Sequence, residues 1–281
     1  MGVHAQPFRS NRPAFRLGIL TSVETRHRYF VQALRSRFDV AAVGYEQTGY
    51  DPSAAPDLTP EESRIVENHF AERSRQEQIY FGQQCEFVSE TESCAVRLME
   101  PGRLNSPATL DFLESHGVDT LVVYGTNLIK APLLDRFAGR IINLHLGLSP
   151  YYRGTATNFY PLLNEEPEYV GATIHLIDAG IDSGPILKHA RPTIVADDGP
   201  HTIGCKAIAA GTEAMIAVLN DLSRGTLKPV PQWSVPKARL YLRKDYHPRQ
   251  VVELYRKLDE GLIRRYVDRA AKSPPPVRLI P

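Results

Sequence analysis

Apolar residues in this chain fall into short runs separated by amphipathic stretches. Two early runs, FRLGIL at 15–20 and FDVAAVGY at 38–45, predict buried strands, and the stretch from about 24 to 36 between them predicts a helix. A turn-rich loop at 46–60 follows. Residues 61–81 then predict a long polar helix, because their few apolar positions follow helical spacing.

The middle of the chain shows a more regular alternation. Ser106 followed by Pro107 is typical of a helix start, and that helix is expected to end near Gly117. Further elements are predicted in chain order: a strand at 119–125, a short helix at 131–137, a strand at 139–145, a helix near 156–163, strands at 170–178 and 185–194, and a long helix at 201–222. Strands that alternate with helices predict a doubly wound, mostly parallel α/β sheet.

The Pro-containing stretch 227–237 is typical of a linker and predicts a domain boundary after residue 226. The main domain would then be 1–226, and 227–281 would be a linker with a short C-terminal helical extension. The extension is expected to contain a short extended piece and one helix from Pro248. Its apolar stripe should dock on the domain itself or on the partner subunit of a homodimer; the stripe comprises Val251, Tyr255, Leu258, Leu262 and Tyr266.

Composition narrows the class of protein. The chain has 281 residues, of which 42% are hydrophobic and 23% charged, as in soluble globular proteins. It shows no apolar run of about eighteen residues and no apolar leader, so we expect no membrane contact and a cytoplasmic location. Cys85, Cys94 and Cys205 lack C-x-x-C spacing, which indicates reduced thiols and no metal site.

Charge is unevenly distributed along the chain. Residues 225–281 carry 13 Lys/Arg and 5 Asp/Glu, a net charge of +8, whereas residues 1–224 carry −7. The basic end could bind phosphate or nucleic acid, or it could be the solvated face of an amphipathic helix.

The sequence IINLHLGLSPYYRG at 141–154 carries the most distinctive chemistry. Asn143 and His145 end a strand two residues apart, so both side chains project from the same face. In parallel sheets ligands bind at the carboxyl ends of strands. A second cluster follows in HLIDAGIDSGPI at 175–186, where a strand runs into a loop with Asp178 and Asp182.

An amide, an imidazole and a carboxylate together suit acyl transfer to an amine. The amide of Asn143 would hold the oxygen that becomes anionic. The imidazole of His145 would add a second donor or take a proton from the attacking nitrogen, and Asp182 would orient and charge it. A nucleophilic Ser or Cys is not needed, because a free amine attacks directly.

These residues resemble a known family. NLHLGLSPYYRG followed by GATIHLIDAGIDSGPIL, within about 119–187, is similar to the formyltransferases that use 10-formyltetrahydrofolate. The resemblance implies a Rossmann-like formyltransferase fold for a catalytic domain at 1–226. It also implies that Asn143, His145 and Asp182 are catalytic, and that His175 supports the acceptor site close to Asp182.

The same resemblance implies where 10-formyltetrahydrofolate binds. Backbone groups in two loops would hold the pterin, and no metal would be required. The loop residues are Asn127, Leu128 and Ile129, together with Asp178, Ala179, Gly180 and Ile181.

The resemblance does not identify the amine that accepts the formyl group. Many members have Ser-Leu-Leu-Pro where this chain has GLSP at 147–150, next to the acceptor entrance. We expect Tyr151 and Tyr152 to stack on a base or sugar, and Arg153 either to bind a phosphate or carboxylate or to pin the turn.

Family members that formylate tRNA carry a further β-barrel, for which 238–281 is too short, so nucleic acid is the less expected partner. We therefore expect a small-molecule acceptor, the amine of a nucleotide-linked amino sugar. Four alternatives stay open: another small-molecule or peptide amine, methionyl-tRNA, hydrolysis of the formyl folate, and folate binding without catalysis. A dinucleotide-dependent oxidoreductase would need G-x-G-x-x-G after the first strand, and LGILTSVETR does not contain it.

Overall fold

The computed structural model describes residues 15–47, 53, 57–84 and 86–281. The strands are β1 (Leu17–Thr21), β2 (Val40–Glu46), β3 (Ala95–Met99), β4 (Thr120–Tyr124), β5 (Ile141–His145), β6 (Tyr152–Gly154), β7 (Ala172–Leu176), β8 (Ile186–Ala190) and β9 (Arg239–Tyr241). The helices are α1 (Thr25–Arg35), α2 (Pro60–Phe81), α3 (Pro107–Ser115), α4 (Leu133–Arg136), α5 (Phe159–Leu163), α6 (Pro200–Ser223), α7 (Arg249–Asp259) and α8 (Leu262–Lys272). Cys85 and most of the predicted loop 46–60 lie outside the described residues.

Seven strands form the central sheet in the order β3-β2-β1-β4-β5-β7-β8. The first five are parallel, β7 is antiparallel to β5, and β8 is antiparallel to β7. Alternate residues of β4 serve two cores: Val122 and Tyr124 pack with α1 and α6, whereas Leu121 and Val123 pack with α3 and α4. Because helices cover both faces, β4 is buried along its whole length. The predicted doubly wound, mostly parallel sheet is confirmed.

Strands β3 and β6 were not predicted, and β9 lies where the short extended piece of the C-terminal extension was expected. Strand β3 lies at the sheet edge, where Arg97 and Leu98 are exposed, so it shows no continuous apolar run. Strands β6 and β9 have three residues each and form a separate two-stranded sheet. Their pairing depends on residues more than eighty positions apart, which local sequence patterns do not indicate.

Helix α2 begins with a reciprocal cap. The Thr59 hydroxyl accepts a hydrogen bond from the Glu62 N–H at 3.2 Å, and the Glu62 carboxylate accepts one from the Thr59 N–H at 2.8 Å. The helix buries Val66, His69 and Phe81 and packs against α1, α6 and α7. The inserted helix therefore joins the first half of the domain to the C-terminal extension.

Helix α6 is the longest helix described. By length and composition it could cross a membrane, with a mean hydropathy of 1.4 over eighteen residues, but 61% of that stretch is buried inside the protein. It packs against β7, β8 and α2. Its apolar surface is therefore used for the core.

The C-terminal extension forms two helices rather than the single one expected. Gly261 adopts a left-handed conformation, with φ of +83°, and separates α7 from α8. Leu254, Leu262 and Ile263 pack with Tyr152 and Tyr160 of the main domain in one cluster. The extension therefore docks on the domain itself. A homodimer and the division after residue 226 stay predictions.

The stretch 227–237 makes more contacts than a linker would. Val230 exchanges two backbone hydrogen bonds of 2.8 Å with Ile186 at the start of β8. This contact holds the segment against the sheet.

Two glycine substitutions should change stability in opposite directions. Gly261→Ala places a β-carbon on a left-handed backbone and should destabilise the fold by about 1 kcal/mol. Gly204→Ala, in the interior of α6 with no atom within 4 Å of the added carbon, should stabilise it by about 0.5–1 kcal/mol. Urea unfolding of both variants measures this. Equal effects would contradict the assignment of the helix break to Gly261.

Candidate active site

Strand β5 carries two polar side chains into one space. Asn143 and His145 project from the face opposite Leu144, whose side chain packs in the core with Tyr124. His145 is buried, and Asn143 is half-buried. The structure thus places both residues as the strand pattern predicted.

Asp182 reaches the same space by a route that the sequence did not indicate. Because β7 is antiparallel to β5, the chain leaves β7 beside the start of β5, where the Ile177 N–H donates to the Ile141 carbonyl at 2.9 Å. Five residues later Asp182 lies next to His145, at the opposite end of β5. The carboxyl end of β7 therefore lies at the opposite sheet edge from the carboxyl end of β5. The β7–β8 loop folds back along β5 from that edge.

The Asp182 carboxylate contacts both β5 side chains. Its Oδ2 lies 3.3 Å from Nδ1 of His145, and its Oδ1 lies 3.4 Å from Nδ2 of Asn143. Oδ2 also accepts a hydrogen bond of 2.9 Å from the Gly154 N–H on β6. With a side-chain exposure of 16%, the carboxylate is largely withdrawn from solvent. One ligand could therefore contact all three side chains.

The hydrogen bonds of His145 determine which ring nitrogen carries its proton. Nε2 lies 3.1 Å from the backbone carbonyl of Tyr152, and a carbonyl can only accept. Nε2 therefore carries the hydrogen. When the ring is neutral, the lone pair is on Nδ1, the atom that faces Asp182.

The charges of this pair follow from burial and mutual attraction. Burial lowers the pKa of His145 below its ordinary value of 6.5, and the Asp182 carboxylate opposes this. Burial alone would raise the pKa of Asp182, but the nearby imidazoles of His145 and His175 and the Gly154 N–H lower it well below its usual range. At neutral pH the site therefore holds a neutral imidazole beside an ionised carboxylate.

His175 positions the amide of Asn143. Its Nδ1 donates to the Leu176 carbonyl at 2.8 Å, so Nε2 is free to accept from Nδ2 of Asn143 at 3.0 Å. At 2% exposure the ring lies behind Asn143. It supports Asn143 and lies 3.5 Å from Oδ1 of Asp182, while a contact with the acceptor stays a prediction.

Of Tyr151 and Tyr152, the second is placed differently from the expectation. The Tyr152 ring is buried, and its hydroxyl binds Glu166 and Arg239, so its contribution to the site is its carbonyl. Tyr151 packs at 4.8 Å from Tyr169 and lies near Trp233. The buried Tyr152 ring therefore cannot stack on a base or sugar as expected, whereas stacking of the half-buried Tyr151 stays a prediction.

Arg153 does lie beside the site. It belongs to β6 between Tyr152 and Gly154, and its charge contributes to the lowered pKa of His145. Its Nε is buried and has no hydrogen-bond partner. An unpaired buried N–H is costly, so this group is suited to an incoming anion.

The loop after β4 leaves the sheet beside β5, because Tyr124 pairs with Leu144. Asn127 is bound on both sides, donating to Glu46 at 3.1 Å and accepting from Arg243 at 2.8 Å. The Leu128 carbonyl accepts from Asn105 at 2.9 Å, while its side chain is 52% exposed. Ile129 is buried in the core. The loop is thus fixed in place and presents an apolar side chain, as a flat heterocycle requires.

The second predicted folate loop is stabilised by Asp178. Its Oδ1 accepts from the Gly180 N–H at 2.9 Å and from the Ser183 hydroxyl at 2.8 Å. Ala179 and Gly180 are exposed, and Ile181 is half-buried. The exposed backbone at this turn fits a hydrogen-bonding heterocycle. Among the residues that the structure describes, no three His, Cys, Asp or Glu side chains are grouped to hold a metal ion.

Three residues of the site were not identified from the sequence. Thr157 is buried, and its hydroxyl lies 3.3 Å from Nε2 of His145. A β-carbon on Gly147 would lie 2.7 Å from Nε2 of His145 and 2.6 Å from Cβ of Thr157. Gly147 in GLSP is therefore required by the close approach of His145 and Thr157. Gly154 supplies the backbone N–H for Asp182, and its position in the turn was the available signal.

Comparison with known proteins supports formyl transfer as the chemistry of this site. A family model described as formyl transferase matches residues 62–219. The chain belongs to the formyl transferase family.

Methionyl-tRNA formyltransferase of Synechococcus sp. (strain JA-3-3Ab) is 35% identical over 140 residues, which is 49% of this chain and 43% of that protein. The enzyme of the same name from Thermodesulfovibrio yellowstonii is 31% identical over 154 residues, 54% of this chain and 49% of that protein. The chain spans about half the length of the curated relatives it matches.

Solved structures of other formyltransferases share the fold. Phosphoribosylglycinamide formyltransferase of Anaplasma phagocytophilum has a TM-score of 0.55 at 14% identity, covering 82% of this chain and 98% of that one. A sugar N-formyltransferase of a Shewanella species has a TM-score of 0.52 at 17% identity, covering 87% and 88%. These likenesses extend the formyltransferase fold over most of the chain.

The neutral state of His145 can be measured directly. We expect its imidazole to titrate below 6.5, because burial disfavours the cation. Asp182→Asn removes the carboxylate that raises the pKa of His145, so the pKa should fall further. NMR titration of the histidine ring signals, assigned with His145→Gln, gives both values. A pKa of His145 that is unchanged in Asp182→Asn would contradict the observed pairing.

Proposed function

We propose that this protein transfers a formyl group from 10-formyltetrahydrofolate to the primary amine of a small molecule, a nucleotide-linked amino sugar. The observation that carries the proposal is the convergence of Asn143, His145 and Asp182 in a chain of the formyl transferase family. When bound, the folate supplies the formyl carbonyl. Residues 127–129 and 178–181 would hold it.

His145 and Asp182 handle the proton. Nδ1 of the neutral ring bears the lone pair, so it can accept the proton that the acceptor nitrogen must lose. The cation formed on the ring then lies 3.3 Å from an ionised carboxylate. Because both groups are buried, this attraction is stronger than it would be in water. Nδ1 would return that proton to the folate nitrogen when the bond between this nitrogen and the formyl carbon breaks and tetrahydrofolate leaves.

Asn143 stabilises negative charge on oxygen. One hydrogen of its Nδ2 is held by His175 at 3.0 Å, whereas the other meets Asp182 only at 3.4 Å. The longer contact is the weaker one, and a ligand oxygen can replace it. His175 keeps the amide oriented, so little reorganisation is needed as charge develops.

Arg153 would bind the anionic part of the acceptor. Its guanidinium has an unpartnered Nε and lies on β6, the strand that also supplies the Gly154 N–H to Asp182. A planar guanidinium suits a phosphate or carboxylate. A diphosphate-linked amino sugar would offer this group a charge and offer the site an amine.

The basic extension favours a small acceptor over RNA. Most of its cationic side chains lie within 4 Å of a carboxylate of this chain, and several bind the main domain. They are Arg239, Arg249, Arg256, Lys257, Arg264, Arg265 and Arg269. Lys and Arg side chains that pair with carboxylates in this way hold the extension against the domain, so they are less available to bind the phosphates of an RNA.

Methionyl-tRNA is the second candidate acceptor. Two observations favour it: the relatives that match at 31% and 35% identity are methionyl-tRNA formyltransferases, and residues 225–281 carry a net charge of +8. Assays with 10-formyltetrahydrofolate and either a panel of nucleotide-linked amino sugars or charged initiator tRNA separate the two. Steady release of tetrahydrofolate without any amine acceptor would instead indicate hydrolysis of 10-formyltetrahydrofolate.

Loss of either proton-handling residue should abolish most turnover. His145→Gln and Asp182→Asn should each lower kcat about 10²–10⁴-fold, the usual contribution of a positioned acid–base group. Folate binding, measured by fluorescence quenching, should persist in both variants. His116→Gln, at the end of α3, is the matched control and should keep full activity. Wild-type kcat in His145→Gln would remove His145 from the reaction, whereas folate binding without turnover in the wild-type protein would support a folate binder without catalysis.

Substitution of Arg153 should affect binding of an anionic acceptor. Arg153→Met should raise KM for a nucleotide-linked amino sugar about tenfold or more, because a charge-assisted hydrogen bond is lost. Arg256→Met, which removes only an exposed pair with Glu260, should leave KM unchanged. Equal KM values in wild type and Arg153→Met would remove Arg153 from the acceptor site.

A further inference from the structure

The backbone of Asp182 is unusual for its residue type. Its φ is +46°, in the left-handed region that an L-residue adopts only when its surroundings hold it there. The contacts of the carboxylate with His145, Asn143 and Gly154 are made by the side chain. Something else must hold the peptide groups of this turn.

Gln232 makes those backbone contacts. Its Nε2 donates to the Asp182 carbonyl at 2.7 Å and to the Gly184 carbonyl at 2.9 Å. One side-chain amide therefore bridges both ends of the turn 182–184. The Ser149 hydroxyl adds a longer contact of 3.4 Å to the same Asp182 carbonyl.

Gln232 is itself anchored on both sides in the chain. Two residues before it, Val230 exchanges two backbone hydrogen bonds of 2.8 Å with Ile186. One residue after it, Trp233 packs under the Arg278 guanidinium, 4.1 Å from the ring centroid, and beside Tyr151 at 6.2 Å. The segment therefore has the fixed position that a positioning group requires.

We propose that Gln232 is a positioning residue for formyl transfer: its amide holds the Asp182 turn in the conformation that directs the carboxylate at His145. The inference rests on the proposed function. Gln232 touches neither of these side chains, and it acts on Asp182 through the backbone. Without the two hydrogen bonds the turn can relax, and Asp182 moves away from His145.

The test is Gln232→Met, which keeps the length of the side chain and removes both N–H donors. We expect kcat to fall about 10²-fold, the effect of displacing a catalytic group by about 1 Å. KM for the acceptor should change less than twofold. Lys228→Met, an exposed position in the same segment, is the matched control and should behave as wild type.

The pKa of His145 provides a readout that loss of stability alone would not move. The ring faces Asp182, which raises its pKa, and His175 and Arg153, which lower it. When Asp182 moves away, the NMR titration of His145 should shift to lower pH. An unchanged His145 pKa in Gln232→Met, with or without a loss of kcat, would overturn the proposal.

The two proposals fail in different ways. Wild-type protein without formyl transfer to any acceptor would refute the proposed function, while the titration would still decide whether Gln232 positions Asp182. If Gln232→Met does not fold, Gln232→Leu carries the same test, because its smaller uncharged side chain also has no N–H. With that variant, wild-type kcat would overturn the proposal.

Discussion

The structure around the site depends on one buried negative charge. An ionised carboxylate withdrawn from water is tolerated only when hydrogen bonds and an opposite or polarisable partner replace its hydration. For Asp182 the hydrogen bonds come from the Asn143 amide on β5 and the Gly154 N–H on β6, and the polarisable rings of His145 on β5 and His175 on β7 lie 3.3 and 3.5 Å away. The positions of β5, β6 and β7 relative to one another are therefore part of the chemistry.

The change of strand direction at β5 determines how Asp182 reaches His145. A further parallel strand would have ended at the same sheet edge as His145. The antiparallel hairpin of β7 and β8 instead starts at Ile177 beside Ile141 and returns to His145 within five residues. The return requires a tight turn, and a β-carbon on Gly184 would lie 1.8 Å from the Leu176 carbonyl oxygen. The β7–β8 turn therefore shapes the edge of the sheet and also positions Asp182 in the candidate active site.

The C-terminal extension belongs to the same assembly. Strand β9 pairs with β6, which carries Arg153 and Gly154, and α7 packs on α2 and α5. Arg243 reaches Asn127 in the loop expected to hold folate. These contacts connect the extension with both the acceptor side and the folate side. Its basic charge is largely used in ion pairs with the protein itself.

Several elements were predictable because their signal is local. Strands β4 and β5 are continuous apolar runs, and helix α3 begins with Ser106 and Pro107, so neighbouring residues alone identify them. The break at Gly261 was missed because the apolar stripe keeps helical spacing across it. Strand β6 was missed because it is three residues long and pairs only with β9, more than eighty positions away in the chain.

The sequence by itself determined the doubly wound, mostly parallel class of the sheet and, together with the family resemblance, the class of reaction. It also determined the two residues on β5, since alternation along a strand places Asn143 and His145 on one face regardless of the rest of the chain. Tertiary structure alone decided which groups surround them. The Tyr152 ring is buried in the core, and the Tyr152 carbonyl faces His145. His175 lies behind Asn143. The physical reason is that burial and hydrogen-bond pairing depend on segments distant in the chain, whereas periodicity depends only on neighbours.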